Sequence, residues 1–253
     1  EKLFKLPSIL YFRDFENVFT AIESGLCKYG VIPLENSTAG SVNKVYDLMI
    51  KHDFSIIRSV RIKVDHNLLA KRGTKLEDIK EIFSHEQAIN QCGEFIKALN
   101  KDVKITPVEN TAVAAKMVAE SGRNDVAAIS SRSCIELYGL KCIQSSVQDK
   151  GNNYTRFICI SKNLEIYPGA DKISFMITLP HTAGSLYATI SKFAAAGINL
   201  TKIESRPIAG RDFEFAFYFE MEASVYSDEL YAILAELENS DEKFKFYGCY
   251  LEA

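Results

Sequence analysis

Apolar residues follow two alternating periods from residue 8 to about 165, and that alternation sets the expected architecture. Ser8-Ile9-Leu10-Tyr11-Phe12 reads as a strand after Pro7. Phe15, Val18, Phe19 and Ile22 then fall at i, i+3, i+4 and i+7 on one helix face. Asp14 is placed to cap that helix and Gly25 to stop it. A strand over 29–34, a helix over 42–50 and a long strand over 54–64 follow. A second set begins near Leu76. It has a strand at Ile82-Phe83, a helix over 86–99, a strand over 103–108, a helix over 111–120, a strand over 126–129 and a short helix from Ser131. The two sets join over 64–76, and the chain re-enters by a strand over 157–160, so two lobes around a cleft are expected. Glu1-Lys2-Leu3-Phe4 reads as the end of a helix, and further chain upstream is expected.

Tyr167-Pro168-Gly169-Ala170 is turn-like, and the pattern changes beyond it. Strands over 172–179, 198–208, 213–220 and 244–251 alternate with helices over 184–196 and 228–237. Gly210-Arg211-Asp212 supplies a hairpin turn. That order, β-α-β-β-α-β, is a ferredoxin-like split unit.

Composition adds exclusions. A net charge of -3 gives no basic field, so nucleic acid is not an expected partner. The apolar runs are short and broken by charges, so no membrane span is expected. Cys27, Cys92, Cys134, Cys142, Cys159 and Cys249 lack C-x-x-C spacing, which argues against a zinc site or a disulfide framework and for a reducing cytoplasm. No cofactor is expected.

Polar residues cluster where strands give way to helices, the usual ligand position in open α/β sheets. The clusters are Asn36, Ser37 and Thr38; Ser84, His85, Gln87 and Gln91; Glu109, Asn110 and Thr111; and Ser130 to Ser133. Each serves equally well as a helix cap. In Asn153-Tyr154-Thr155-Arg156-Phe157 a hydroxyl sits beside a guanidinium at the mouth of an apolar strand. Such an arginine needs an anion, which is either a substrate or a neighbouring Asp or Glu. Together the clusters describe a polar cleft for a small anion.

Gly30-Val31-Ile32-Pro33-Leu34-Glu35-Asn36-Ser37, Ser84-His85-x-Gln87-Ala88 and Asn153-x-Thr155-Arg156-Phe157 resemble the prephenate dehydratases. Gly184-Ser185-Leu186 and Glu204-Ser205-Arg206-Pro207 resemble the two hallmark segments of their ACT regulatory domain. The resemblance implies an α/β two-lobed, periplasmic-binding-protein-like catalytic domain over 1–166, with lobe one at about 1–65 and 150–166 and lobe two at about 66–149. An α+β ferredoxin-like ACT domain over 171–253 would follow. Family members begin with a strand, a glycine-rich loop and a helix, and this chain starts near the end of that helix; a chorismate mutase domain precedes the dehydratase in some relatives.

The implied reaction turns prephenate into phenylpyruvate, water and carbon dioxide. By the resemblance Thr155, Arg156 and Phe157 form the catalytic motif. Thr155 donates to the departing hydroxyl, and Arg156 holds the pyruvyl carboxylate. Asn36, Ser37, Thr38, Ser84, Gln87, Gln91 and Thr111 bind the substrate as neutral donors, with Glu35 and Glu109 in second place. L-phenylalanine is expected as allosteric inhibitor on Gly184, Ser185, Leu186, Asn199, Glu204, Ser205, Arg206 and Pro207, in a homodimer or homotetramer joined through the ACT domains. Arogenate dehydratase and a non-catalytic amino-acid sensor are the alternatives.

Overall fold

The computed structural model describes residues 3–99, 102–211, 214–240 and 243–253. In chain order the elements are α1 (Phe15–Glu23), β1 (Tyr29–Asn36), β2 (Gly40–Ser41), α2 (Asn43–Lys51), β3 (Ser55–Lys63), β4 (Asn67–Ala70), β5 (Glu81–Ser84), α3 (Glu86–Gln91) and α4 (Gly93–Ala98). There follow β6 (Lys104–Pro107), α5 (Thr111–Glu120), β7 (Val126–Ser130), α6 (Ser133–Tyr138), β8 (Lys141–Gln144) and β9 (Tyr154–Ser161). The last six are β10 (Lys172–Thr178), α7 (Ser185–Ala195), β11 (Asn199–Pro207), β12 (Phe215–Glu222), α8 (Asp228–Glu238) and β13 (Phe244–Glu252). They divide into two compact units, Glu1–Ile62 with Thr155–Ala253, and Lys63–Tyr154.

The first unit is built on an eight-stranded sheet, in the order β11-β12-β10-β13-β3-β9-β1-β2. Its β11-β12-β10-β13 half, with α7 and α8 as connections, is the expected β-α-β-β-α-β arrangement. That half does not pack as a separate body. Its strand β13 runs parallel to β3, with Leu251 opposite Arg58 and Glu252 opposite Ser59. Gly248 permits the approach, because a Cβ there would lie 2.5 Å from the Ile56 carbonyl oxygen and its φ is +137°. The sheet of this half is covered on both faces. Phe175, Phe193, Phe219, Leu230 and Leu237 form a core with the helices α7 and α8. Met176, Tyr218, Tyr247 and Tyr250 join Phe19, Ile32, Tyr46, Met49 and Phe54 in a second core. Burial on both faces is why β10 reads as a continuous run rather than an alternation. Tyr247 and Lys245 also donate to the Met49 carbonyl, and Lys245 to that of His52, satisfying acceptors at the end of α2.

Helix α1 follows its sequence signals. The Asp14 carboxylate accepts the Asn17 N–H at 2.9 Å, and Gly25 closes the helix at φ +76°. The cap contributes about 1 kcal/mol. The expected strand at Ile9–Phe12 does not form. These residues are exposed, Tyr11 at 90%, and no strand among the described residues pairs with them. A lone strand leaves its N–H and C=O groups without partners, so apolar content alone does not produce one. Leu3 and Phe4 are not helical, while Glu1 and Lys2 lie outside the described residues. So do Asp212 and Phe213, the end of the expected hairpin turn and the first residue of the expected strand; Gly210 in that turn has φ +78°.

The second unit holds a five-stranded sheet ordered β6-β5-β7-β4-β8. Strand β5 is parallel to β6 and β7, and β4 is antiparallel to β7 and β8. Strand β4 falls within the expected connection over 64–76, yet all four of its residues are buried. The expected helix over 86–99 is two helices. Cys92 leaves helical geometry at φ -116°, ψ 25°, and the Asp149 carboxylate accepts the Glu94 N–H at 3.0 Å to start the second. Among the described residues no helix is long and apolar enough to cross a membrane, and no group of three metal-ligating side chains occurs.

Candidate functional site

In the first unit, strands β1 and β9 are antiparallel, and a bulge between Pro33 and Glu35 sets their last pairs. Asn36 stands opposite Thr155, Glu35 opposite Arg156 and Pro33 opposite Phe157. Strand alternation places these neighbouring pairs on opposite faces. On one face Asn36 Nδ2 donates to Thr155 Oγ1 at 3.0 Å. Asn36 Oδ1 accepts the Thr38 N–H at 3.0 Å and the Ala39 N–H at 2.8 Å, which fixes the carboxamide. Because the threonine oxygen is an acceptor in this pair, its own proton is available for another oxygen. Ser37 and Thr38 are exposed in the tight β1–β2 turn.

On the other face the structure gives Arg156 a different partner from the expected substrate carboxylate. The residue is 4% exposed. Its Nη1 donates to Glu220 Oε1 at 2.6 Å, and its Nε lies 2.9 Å from Glu35 Oε1 without hydrogen-bond alignment. Sequence reading left open a neighbouring acid, and that is the arrangement present. Glu220 is itself 1% exposed, and accepts also from Thr201 at 2.9 Å and from the Tyr250 hydroxyl at 3.1 Å. Burial opposes both charges. The Glu220 charge and hydrogen bond nevertheless raise Arg156 above its ordinary range, and Arg156 holds Glu220 below its own. Burial, and then the Glu220 charge, raise Tyr218 and keep it neutral. Lys202 donates to Glu35 Oε2 and, at 2.9 Å, to Ser41 Oγ.

The segment Glu204 to Pro207 alternates across β11. Glu204 and Arg206 face inward: Ser41 donates to Glu204 at 2.6 Å, and Arg206 grips Asp47 through two bonds of 2.7 and 3.0 Å. These side chains, expected as ligand contacts, pair with residues before α2 and on it. Asn199, Ser205 and Pro207 are exposed. Gly184 precedes α7 at φ +89° and contributes no side-chain cap. A pocket of about 310 Å³ lies against that helix start, lined by Leu179, His181, Thr182, Ser185, Phe215 and Phe217 among others. Of the expected ligand residues only Ser185 lines it, while Leu186 packs against the helical core.

In the second unit, Ser84 is fully buried and donates to the Ile129 carbonyl at 2.7 Å, tying β5 to β7. That bond uses the Ser84 proton within the sheet. Gln87 is exposed, and its N–H donates to His85 Nδ1 at 3.2 Å, so the His85 ring caps α3. Gln91 ends α3, and its Oε1 meets His66 Nε2 at 2.9 Å and Asn153 Nδ2 at 3.1 Å. Thr111 is half-buried at the start of α5, where its carbonyl accepts from Ser130. Sequence reading missed Glu220, Lys202 and His66. A lone glutamate in Phe215-Ala216-Phe217-Tyr218-Phe219-Glu220 is a usable signal, because an acid inside an apolar strand requires a cation.

These features define an α/β protein with hydroxyl and carboxamide donors at strand ends and a ferredoxin-like C-terminal half. The sequence model of the prephenate dehydratase family matches residues 2–165, and the chain belongs to that family. An Arabidopsis thaliana protein named arogenate dehydratase/prephenate dehydratase 2, chloroplastic, is 34% identical over 249 residues, covering 94% of this chain and 65% of the relative. The chain thus spans slightly under two thirds of that relative's length. Two solved structures are similar throughout. A protein described as GqqA, a novel type of quorum quenching acylase, has a TM-score of 0.85 at 27% identity, covering 96% of this chain and 89% of its own. Prephenate dehydratase in complex with L-Phe from Arthrobacter aurescens has a TM-score of 0.83 at 26% identity, covering 95% and 80%.

Proposed function

We propose that the chain converts prephenate to phenylpyruvate. The electrons of the breaking C–CO₂ bond become a ring π bond, the C4 hydroxyl leaves, and a proton makes it water. Thr155 donates a hydrogen bond to that departing oxygen. The observation that carries the reading is the Asn36–Thr155 bond, which makes Thr155 Oγ1 an acceptor and directs its proton elsewhere. A threonine hydroxyl is too weak an acid to protonate the leaving group unaided. Its part is to stabilise developing charge on the oxygen. Asn36, Ser37, Thr38, Gln87, Gln91 and Thr111 are proposed as the neutral donors to substrate. Neutral donors suit a ring carboxylate that must lose its charge on leaving.

L-phenylalanine is proposed to bind beside the N-terminus of α7, whose N–H groups suit a carboxylate. The pocket there and the L-Phe complex of the Arthrobacter relative support this. A homodimer or homotetramer through the ACT-like halves belongs to the same reading, and six free cysteines support a reducing, cytoplasm-like compartment. A second substrate, arogenate, is favoured by the names of the Arabidopsis relatives. Turnover of prephenate and arogenate, with and without phenylalanine, tests the reading. Phenylpyruvate from prephenate supports it, preference for arogenate selects the second substrate, and phenylalanine binding without turnover of either leaves an amino-acid sensor.

A further inference from the structure

His66 directly precedes β4 and is buried, 7% exposed. Its Nε2 lies 2.9 Å from Gln91 Oε1, which Asn153 Nδ2 also approaches at 3.1 Å. A carboxamide oxygen has two acceptor positions, and the two contacts fill them. What Gln91 then presents to an incoming group is its N–H₂ alone. Asn36 follows the same plan: two backbone N–H groups hold its oxygen, and its N–H₂ serves Thr155.

His66 is itself held in place. Its backbone N–H donates to Gln148 Oε1 at 3.0 Å, and its carbonyl accepts from the Val147 N–H at 2.8 Å. Gln148 in turn donates to Asp65 Oδ1 at 3.1 Å, where Ser146 Oγ arrives at 3.0 Å. Burial alone would raise the Asp65 carboxyl, but hydrogen bonds from Gln148, Ser146 and Asn67 hold it below its usual range. These bonds fix the backbone that carries the ring, and the Gln91 contact is made by the ring itself. The proton on Nε2 decides the direction of the shared bonds. With Nε2 protonated, Gln91 offers donors. With Nε2 bare, both amides reverse and Gln91 offers an acceptor, which repels a carboxylate.

We propose that His66 is a positioning residue. By donating its Nε2 proton to Gln91 it turns the Gln91 carboxamide into a dedicated donor for an anionic substrate. The identity of that anion rests on the dehydratase reading, whereas the orientation of Gln91 does not. A ground-state contact of this kind affects KM more than kcat.

The test combines spectroscopy with a double-mutant cycle on the full chain. Imidazole ¹⁵N shifts of the wild-type protein report the tautomer without any need for turnover. A protonated Nε2 is expected, and a bare Nε2 overturns the proposal. His66→Phe is expected to raise KM for prephenate roughly tenfold, the worth of one hydrogen bond, with kcat little changed. His66→Gln, which keeps a donor at a similar reach, restores much of the loss. In a Gln91→Ala background His66→Phe adds nothing further. Additive losses, or a fall in thermal stability with KM unmoved, overturn the proposal. Failure of the wild-type protein to convert prephenate or arogenate counts against the dehydratase reading alone, and the imidazole shifts then decide the proposal.

Discussion

Arg156 Nη1 lies 2.6 Å from Glu220 Oε1, in a buried bond between residues 64 apart in sequence. Arg156 follows Thr155 in β9, and Glu220 belongs to β12 of the ferredoxin-like half. The cross-strand partner of Arg156, Glu35, precedes Asn36 in β1 and also takes Lys202. The hydroxyl–amide pair therefore stands on a register that the C-terminal half clamps from behind. Removing one member of a buried pair leaves an uncompensated charge, a loss of about 3–5 kcal/mol. Glu220→Gln is expected to fall in that range by urea unfolding. Arg156→Lys should not preserve stability, since a single ammonium cannot span Glu220 and Glu35. Unfolding curves that superimpose on wild type would remove the clamp from the account.

Acid stability should carry the mark of Glu81. Hydrogen bonds from Thr106, Lys104 and Arg123 hold its carboxyl down to about 2, against an ordinary value of 4.5. A lowered folded-state pKa contributes stability that is fully present above 4.5 and lost as pH falls toward 2. Glu220 acts in the same direction. Thermal melts of Glu81→Gln between pH 5 and pH 2 should therefore fall less steeply than those of wild type. Parallel slopes would show that the shift does not reach global stability.

Regulation should depend on contacts that face inward from β11. Arg206 grips Asp47 of α2, and Glu204 accepts from Ser41. An effector shifts an equilibrium only through contacts that differ between two states. These bonds link the Glu204–Pro207 segment to the β1–α2 region. Asp47→Asn, away from the proposed substrate contacts, is expected to bind phenylalanine by calorimetry while inhibition of turnover weakens several-fold. Unchanged inhibition would show that the signal takes another route.

Much of the order of elements was legible because local period and turn chemistry carry it. Phe15 to Ile22 on one helix face, Asp14 as cap and Gly25 as stop are all satisfied within a few residues. What local pattern cannot carry is pairing. Ile9–Phe12 has a strand's composition and no strand partner among the described residues, whereas Asn67–Ala70 has a brief apolar run and two neighbours, so only the second forms. The site divides in the same way. Asn36 and Thr155 were legible as residues, but their meeting depends on the register set by the bulge after Pro33. The partners of Arg156 and Arg206 depend on a sheet that runs on from the C-terminal half into the first strands, which neither segment announces alone.

In the proposed reaction Thr155 is the residue on which the chemistry turns, and replacing its hydroxyl by a methyl group is the most direct measurement. Thr155→Val keeps the shape of the side chain and removes the donor that Asn36 orients. Phenylpyruvate formation from prephenate is expected to fall roughly 10²–10³-fold, the range for one oriented donor to developing charge, and Thr155→Ser should recover part of it. A Thr155→Val protein that forms phenylpyruvate at the wild-type rate would contradict the account.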